Sequence, residues 1–277
     1  MDLATEQLLR GGMRVLDLGR PLAVGMPQSP SHPEFRHVLV RRHGDMVRAD
    51  GGSAANDLIV TGTHVGTHVD ALGHVSHDGR LHGDVEADAV QRGGRFDEHG
   101  IDRFPPFVGR GVLLDIPATL GVEALAPAHE ITVEEVRATI DRQGTPIATG
   151  DAVLIRSGWA QRWNDGTTAY VGHDTGVPGI GPTAATWLAD QRPTVLGADT
   201  IAFERLAPGA GHALLPVHRI LLVERGINII ETMDLEELAN TGVTEFLFIL
   251  NPLNIVGATG APVRPLAVIP TQPAAHG

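Results

Sequence analysis

The chain has 277 residues, 42% hydrophobic and 19% charged, enough for one large folded unit with a substantial core. A formal charge of −12 without any Lys/Arg run argues against a nucleic-acid surface, and no apolar run approaches the ~20 residues of a membrane span. The absence of cysteine excludes disulfides, thiolate metal sites and a cysteine nucleophile, so any metal must be held by His and carboxylates.

The opening "MDLATEQLLRGG" lacks a basic segment followed by an apolar one, so a cytoplasmic location is expected. Short apolar stretches with Gly, Pro or Asp borders follow: "RVLDL" from 14, "HVLV" from 37, "NDLIVTG" from 56 and "GVLLDI" from 111. Others are "AVLIRS" from 152, "PTVLGAD" from 193, "INIIE" from 227, "EFLFIL" from 245 and "PLAVI" from 265. Their length and borders predict strands. Helices are predicted at "TVEEVRATIDRQG", where Thr132 and Glu135 form a capping box, at "PTAATWLADQ" with Pro182 at its start, and at "DLEELAN" from Asp234. A fourth covers "PVHRILLVERG", closed by Gly226. Strands outnumber helices and do not alternate with them, which predicts a mixed α/β layered fold rather than a doubly wound parallel sheet. No repeat or Ser/Pro-rich linker divides the chain, so residues 1–277 are expected to form one domain.

The stretch "HVGTHVDALGHVSHDGRLH", residues 64 to 82, gathers His64, His68, His74, His77 and His82. In an ideal strand His64, Gly66, His68 and Asp70 share one face, but His64 and His68 would then lie ~13 Å apart at Cα, too far to close on one ion. To share a metal the chain must curl at Gly66-Thr67, or turn helically so that i and i+4 meet. Either route makes His64, His68 and Asp70 a His/His/Asp site of the kind that holds zinc or manganese. His77 and His82, beside Asp78, Gly79 and Gly83, fall in a polar loop that rims such a site.

"HVGTHVDALGH" resembles the H-x-G-T-H-x-D-x-x-x-H signature of the cyclase family of metal-dependent amidohydrolases, which includes kynurenine formamidase, isatin hydrolase and a trans-dienelactone hydrolase. The resemblance extends to "DLGRPLAVGMP" from Asp17, "LIRSGW" from Leu154, "VLGADTIAFE" from Val195, "HRILLVERGINIIE" from His218 and "GATGAPVRPLAV" from Gly257. It implies the layered β/β/α-like fold of that family, with His64, His68 and Asp70 on a first metal. His218 and Glu231 would hold a second ion, with Asp70 as bridge; His212 is a rival for His218. The His218 to Glu231 spacing is one residue longer than in some formamidase relatives. One or two Zn2+ or Mn2+ ions per subunit, a homodimer or homotetramer, and a small-molecule substrate are what the resemblance implies.

A bound divalent cation brings the pKa of its water toward ~7 and polarises a carbonyl, so hydrolysis needs no protein nucleophile. His74 is the candidate proton shuttle, because an imidazole near its ordinary pKa both accepts and returns a proton. The expected reaction is cleavage of a C–N bond in a cyclic amide or formamide; a lactone hydrolase and a non-catalytic metal binder are the alternatives. Gln28, Ser29 and His32 offer polar contacts to a substrate, Phe35, Trp159 and Phe203 an apolar wall, and Arg264 a carboxylate contact or a structural ion pair. Two other motifs compete weakly. "GIGPTA" from Gly179, with Asp199 some way on, imitates a dinucleotide fingerprint but follows Asp, Gly and Pro rather than a strand. Ser157 in "IRSGW" lacks the first glycine of a nucleophile elbow.

Overall fold

The computed structural model describes residues 12–271, so the opening segment read above for a leader lies outside the described residues. One nine-stranded mixed sheet organises the chain. Its strands, in chain order with those of a separate ribbon, are β1 (Met13–Asp17), the ribbon pair β2 (Arg36–Arg41) and β3 (Asn56–Val60), then β4 (His68–Asp70), β5 (Phe107–Asp115) and β6 (Ala152–Arg156). There follow β7 (Val195–Ala198), β8 (Asn228–Glu231), β9 (Glu245–Leu250), β10 (Gly260–Pro262) and β11 (Leu266–Pro270). Across the sheet the order is β1, β11, β9, β5, β6, β7, β8, β4, β10. The middle strands β5 to β8 are parallel, and both flanks are antiparallel.

Both faces of that middle are covered, which is why its strands are almost wholly apolar. Alternation divides the side chains: Val112, Leu114, Val153 and Ile155 enter one core, Leu113 and Leu154 the other. The first core is capped by α1 (Val133–Gln143) and α2 (Pro182–Asp190). Both halves of the capping box expected at α1 are formed, and Gly144 closes the helix in the left-handed conformation. All nine predicted strands are present, and the mixed layered architecture is the one expected. Two strands of the main sheet were not anticipated, His68–Asp70 inside the histidine motif and the edge strand Gly260–Pro262, nor were the short two-residue strands outside it.

The fourth predicted helix departs from regularity. α3 (Pro216–His218) passes into a π-helical segment, Arg219–Arg225, before Gly226 ends it. A π turn takes up one extra residue within a helix. The helix from Asp234 starts two residues late, as α4 (Glu236–Asn240). Among the described residues no helix is long and apolar enough to cross a membrane.

Candidate metal centre

β4 carries the site. Three residues long and wholly buried, it lies antiparallel between β8 and β10, with His68 opposite Glu231 and Asp70 opposite Ile229. Directly opposed residues share a face, so pairing alone brings the His68 ring to 3.5 Å from a Glu231 oxygen. Two residues along the same face, Asp70 Oδ1 lies 3.4 Å from His68 Nε2. The curl required of the motif occurs at Gly66, whose φ of 67° is left-handed and whose missing Cβ would meet a Leu22 methyl at 2.6 Å. That turn folds His64 back onto Asp70, Nδ1 to Oδ1 2.7 Å, and Thr259 Oγ1 lies 2.9 Å from His64 Nε2.

His218 arrives from α3. Its Nε2 is 3.1 Å from Glu231 Oε1 and 3.6 Å from Asp70 Oδ2. On the other side of the ring, Nδ1 is 2.7 Å from Glu204 Oε1, which also accepts the His218 backbone N–H, while Glu204 Oε2 accepts that of Val217. Glu204, 1% exposed, therefore fixes both the start of α3 and the orientation of the imidazole. With Nδ1 turned to a carboxylate, Nε2 keeps its lone pair for an electrophile. Glu204 closes the "VLGADTIAFE" block, and no local spacing ties it to a histidine fourteen residues on.

The donors fit a divalent cation. His68, Asp70 and Glu231 form one group whose ligand atoms all lie within 4.8 Å of one another, and His64, Asp70 and His74 form a second, with Asp70 common to both. Asp70 Oδ2 and Glu231 Oε1 are buried and lack a hydrogen-bond partner. A buried anionic oxygen without a donor is costly, and a cation removes that cost.

The electrostatics separate the imidazoles. Burial opposes charge on His68 and His218, yet the carboxylates of Asp70 and Glu231, with Glu204 at His218, hold both above the ordinary histidine value. Burial likewise opposes charge on Asp70, but the imidazoles of His74, His218, His64 and His68 around it hold its carboxyl well below the usual range. Burial takes His74 down to about 3 and, with the repulsion of His64 and His68, His32 down to about 4. His74 stacks on His64 with centroids 3.8 Å apart, and His32 stacks on His64 at 5.3 Å.

The remaining candidates divide cleanly. His32 reaches the site, and His212, lowered by burial, feels the charge of Glu231 and His218 without entering either donor group. His77 is half exposed and faces Asp78, whereas His82 is turned to the Val223 carbonyl. Gln28 holds its own turn, accepting from Phe35 N–H, and Ser29 accepts from Ser31 N–H. Trp159 and Phe203 are core residues, Phe35 packs with Met26 and Val65, and Arg264 forms an exposed ion pair with Asp17. Ser157 Oγ donates to the buried Asp199, which also receives the Ser157 and Gly158 N–H groups, so that carboxylate braces a turn. "GIGPTA" opens with its own two-residue strand, Gly179–Ile180, which lies outside the main sheet, so no sheet strand leads into the glycine turn as a dinucleotide fold requires.

The model of the Cyclase family matches residues 16–205. The chain belongs to the Cyclase family. Isatin hydrolase of Roseibium aggregatum is 25% identical over 270 residues, 95% of either chain. A solved structure described as a cyclase superposes with a TM-score of 0.83 at 30% identity, covering 95% of this chain and 92% of that one. Isatin hydrolase A from Ralstonia solanacearum shares the fold, with a TM-score of 0.72, 24% identity and coverage of 96% and 95%. The family match includes the histidine motif, and the relatives' coverage extends over nearly the whole chain.

Proposed function

We propose that the chain is a metal-dependent hydrolase that cleaves the C–N bond of a small cyclic amide or formamide, using zinc or manganese. The observation that carries this reading is the convergence of His64, His68, His218, Asp70 and Glu231 around two buried carboxylate oxygens without hydrogen-bond partners. The isatin hydrolases among its relatives support the substrate class. A divalent cation held there supplies Lewis acidity toward a carbonyl and toward water.

The protein residues do the rest. Asp70, central to both donor groups, has two oxygens with which to serve two cations. Glu204 and the Gly66 carbonyl fix the rings of His218 and His68. His74 shares a donor group with Asp70 and is the residue we assign to take the proton lost by the attacking water and return it to the departing nitrogen, a role for which its value must rise from the about 3 to which burial takes it.

The test is metal content by elemental mass spectrometry, wild type beside His68→Ala, with isatin, N-formylkynurenine and a dienelactone assayed on the same samples. Stoichiometric metal and amide hydrolysis are expected in the wild type, and both are lost together in the variant. Absence of metal after incubation with zinc or manganese overturns the reading. Turnover of the lactone alone selects ester chemistry; bound metal with no turnover of any of the three selects a non-catalytic metal binder.

A further inference from the structure

Between His218 and Glu231 the chain turns from helix to strand, and an imidazole from a distant loop holds that turn. The π-helical segment Arg219–Arg225 follows His218 directly, and β8, which ends in Glu231, begins at Asn228. Gly226 N–H and Ile227 N–H both return to the Leu221 carbonyl. Carbonyls in the last turn of a helix lack a donor further along it, and the one at Val223 is served from outside: His82 Nδ1–H donates to it at 2.9 Å. The same ring lies over Gly226, where the backbone is left-handed at φ 66° and a Cβ would meet His82 Nε2 at 2.5 Å. Just past the turn, Asn228 Nδ2 donates to the Asp70 carbonyl at 2.7 Å, which ties the start of β8 to β4. His82 is itself tethered. His99 Nε2–H donates to the His82 carbonyl at 3.0 Å, and the two half-buried rings meet edge to face with centroids 6.3 Å apart. His99 adopts a left-handed φ of 60°, uncommon outside glycine, and its carbonyl accepts the N–H of Gly73, the neighbour of His74, at 2.9 Å.

We propose that His82 is a positioning residue of the metal centre: its bond to Val223 fixes the span between His218 and Glu231, and His99 locks it to the turn that carries His74. The role rests on the reading of the centre as a metal site. Neither ring belongs to a donor group, so the effect passes through the backbone. Magnitudes show why the span matters. Metal–ligand distances tolerate about ±0.2 Å, whereas a helix that sheds the extra residue of a π turn slides by ~1.5 Å along its axis. His218 Nε2 and Glu231 Oε1 now lie 3.1 Å apart, and such a slide would part them. A directed N–H bond to Val223, with the ring seated on a glycine, opposes it.

The experiment is cobalt(II) binding to the full chain, read by chelator competition and by the visible absorption of the bound ion, for the wild type, His82→Leu, His82→Asn and His99→Leu. His82→Leu is expected to keep its circular dichroism spectrum, to bind about 10-fold more weakly, the lower end for loss of an outer partner of a ligand, and to alter the cobalt absorption. His82→Asn sets an amide N–H where Nδ1–H stands and should restore both affinity and absorption. His99→Leu removes only the outer bond; it should move both in the same direction by less, and it carries the test where His82→Leu does not fold. Unchanged affinity and absorption in the leucine variants would overturn the proposal and leave the metal site standing. So would a weakening that asparagine does not relieve, since the bulk of the ring rather than its bond would then be what counts. A wild type that takes up neither cobalt, zinc nor manganese would overturn the metal reading itself, and this role with it.

Discussion

His68 and His218 differ from His64, His74 and His32 in what holds their rings. Each of the first two is pinned through Nδ1, to the Gly66 carbonyl and to Glu204, and turns Nε2 toward Asp70 and Glu231. The other three lie ring against ring, and of these His64 also meets Asp70 and Thr259 through its two nitrogens. A pinned imidazole among carboxylates is raised toward the charged form, whereas His74 and His32 are driven neutral. One cluster thus provides two kinds of histidine, rings pinned among carboxylates that turn one nitrogen toward a cation site and stacked rings that burial holds neutral.

His74→Ala gives the largest expected effect that sharpens this contrast. It should lower kcat by ~10²–10⁴ while bound metal stays within twofold of the wild type. Loss of metal alongside activity would make His74 a metal ligand and overturn its proposed role as shuttle. Next in size is Glu204→Gln, which weakens the anchor of His218 while leaving Nε2 in place. Metal affinity, followed by competition with a chromophoric chelator, should fall ~10–100-fold. An unchanged affinity would mean that the α3 backbone alone orients the ring.

The smallest effect is one of pH on the chelator-treated protein. The His74 folded value of about 3 lies below its unfolded value of 6.5, so its contribution to stability is complete above 6.5 and is lost as pH falls from 6.5 toward 3. Against His74→Asn, the wild type should lose ~1 kcal/mol between pH 7.5 and pH 5.5, read from urea midpoints at each pH. No change in the difference would mean that the buried ring takes up its proton as readily as an unfolded one.

The two kinds of histidine were unequally legible in the sequence. Spacing alone brought out His64, His68 and Asp70, because a single curl at Gly66 is a local event and glycine announces it. The nine strands and α1 were legible for the same reason, their apolar runs and caps being local. His218 and Glu231 needed a resemblance, since β8 joins β4 only through the completed sheet. Glu204 went unassigned because its partner comes from another element and its neighbours Ala202 and Phe203 are plain core residues. Trp159 and Phe203 drew attention as pocket walls because aromatic side chains look alike in sequence whether they line a cavity or fill a core. The ribbon was read correctly as strands, but nothing in "HVLV" distinguishes an exposed strand from a buried one.

The placement of β4 between β8 and β10 sets the order of events in synthesis. His64, His68 and Asp70 are translated early, yet the ladder that brings Glu231 opposite His68 cannot form until residue 231 has been made, and the second neighbour of β4 ends at Pro262. Such distant pairing is slow to form, because the loop must close before the contacts stabilise it. The nascent chain therefore carries its histidine motif through most of translation without a completed cage, and high-affinity metal capture becomes a late step that reports a finished fold.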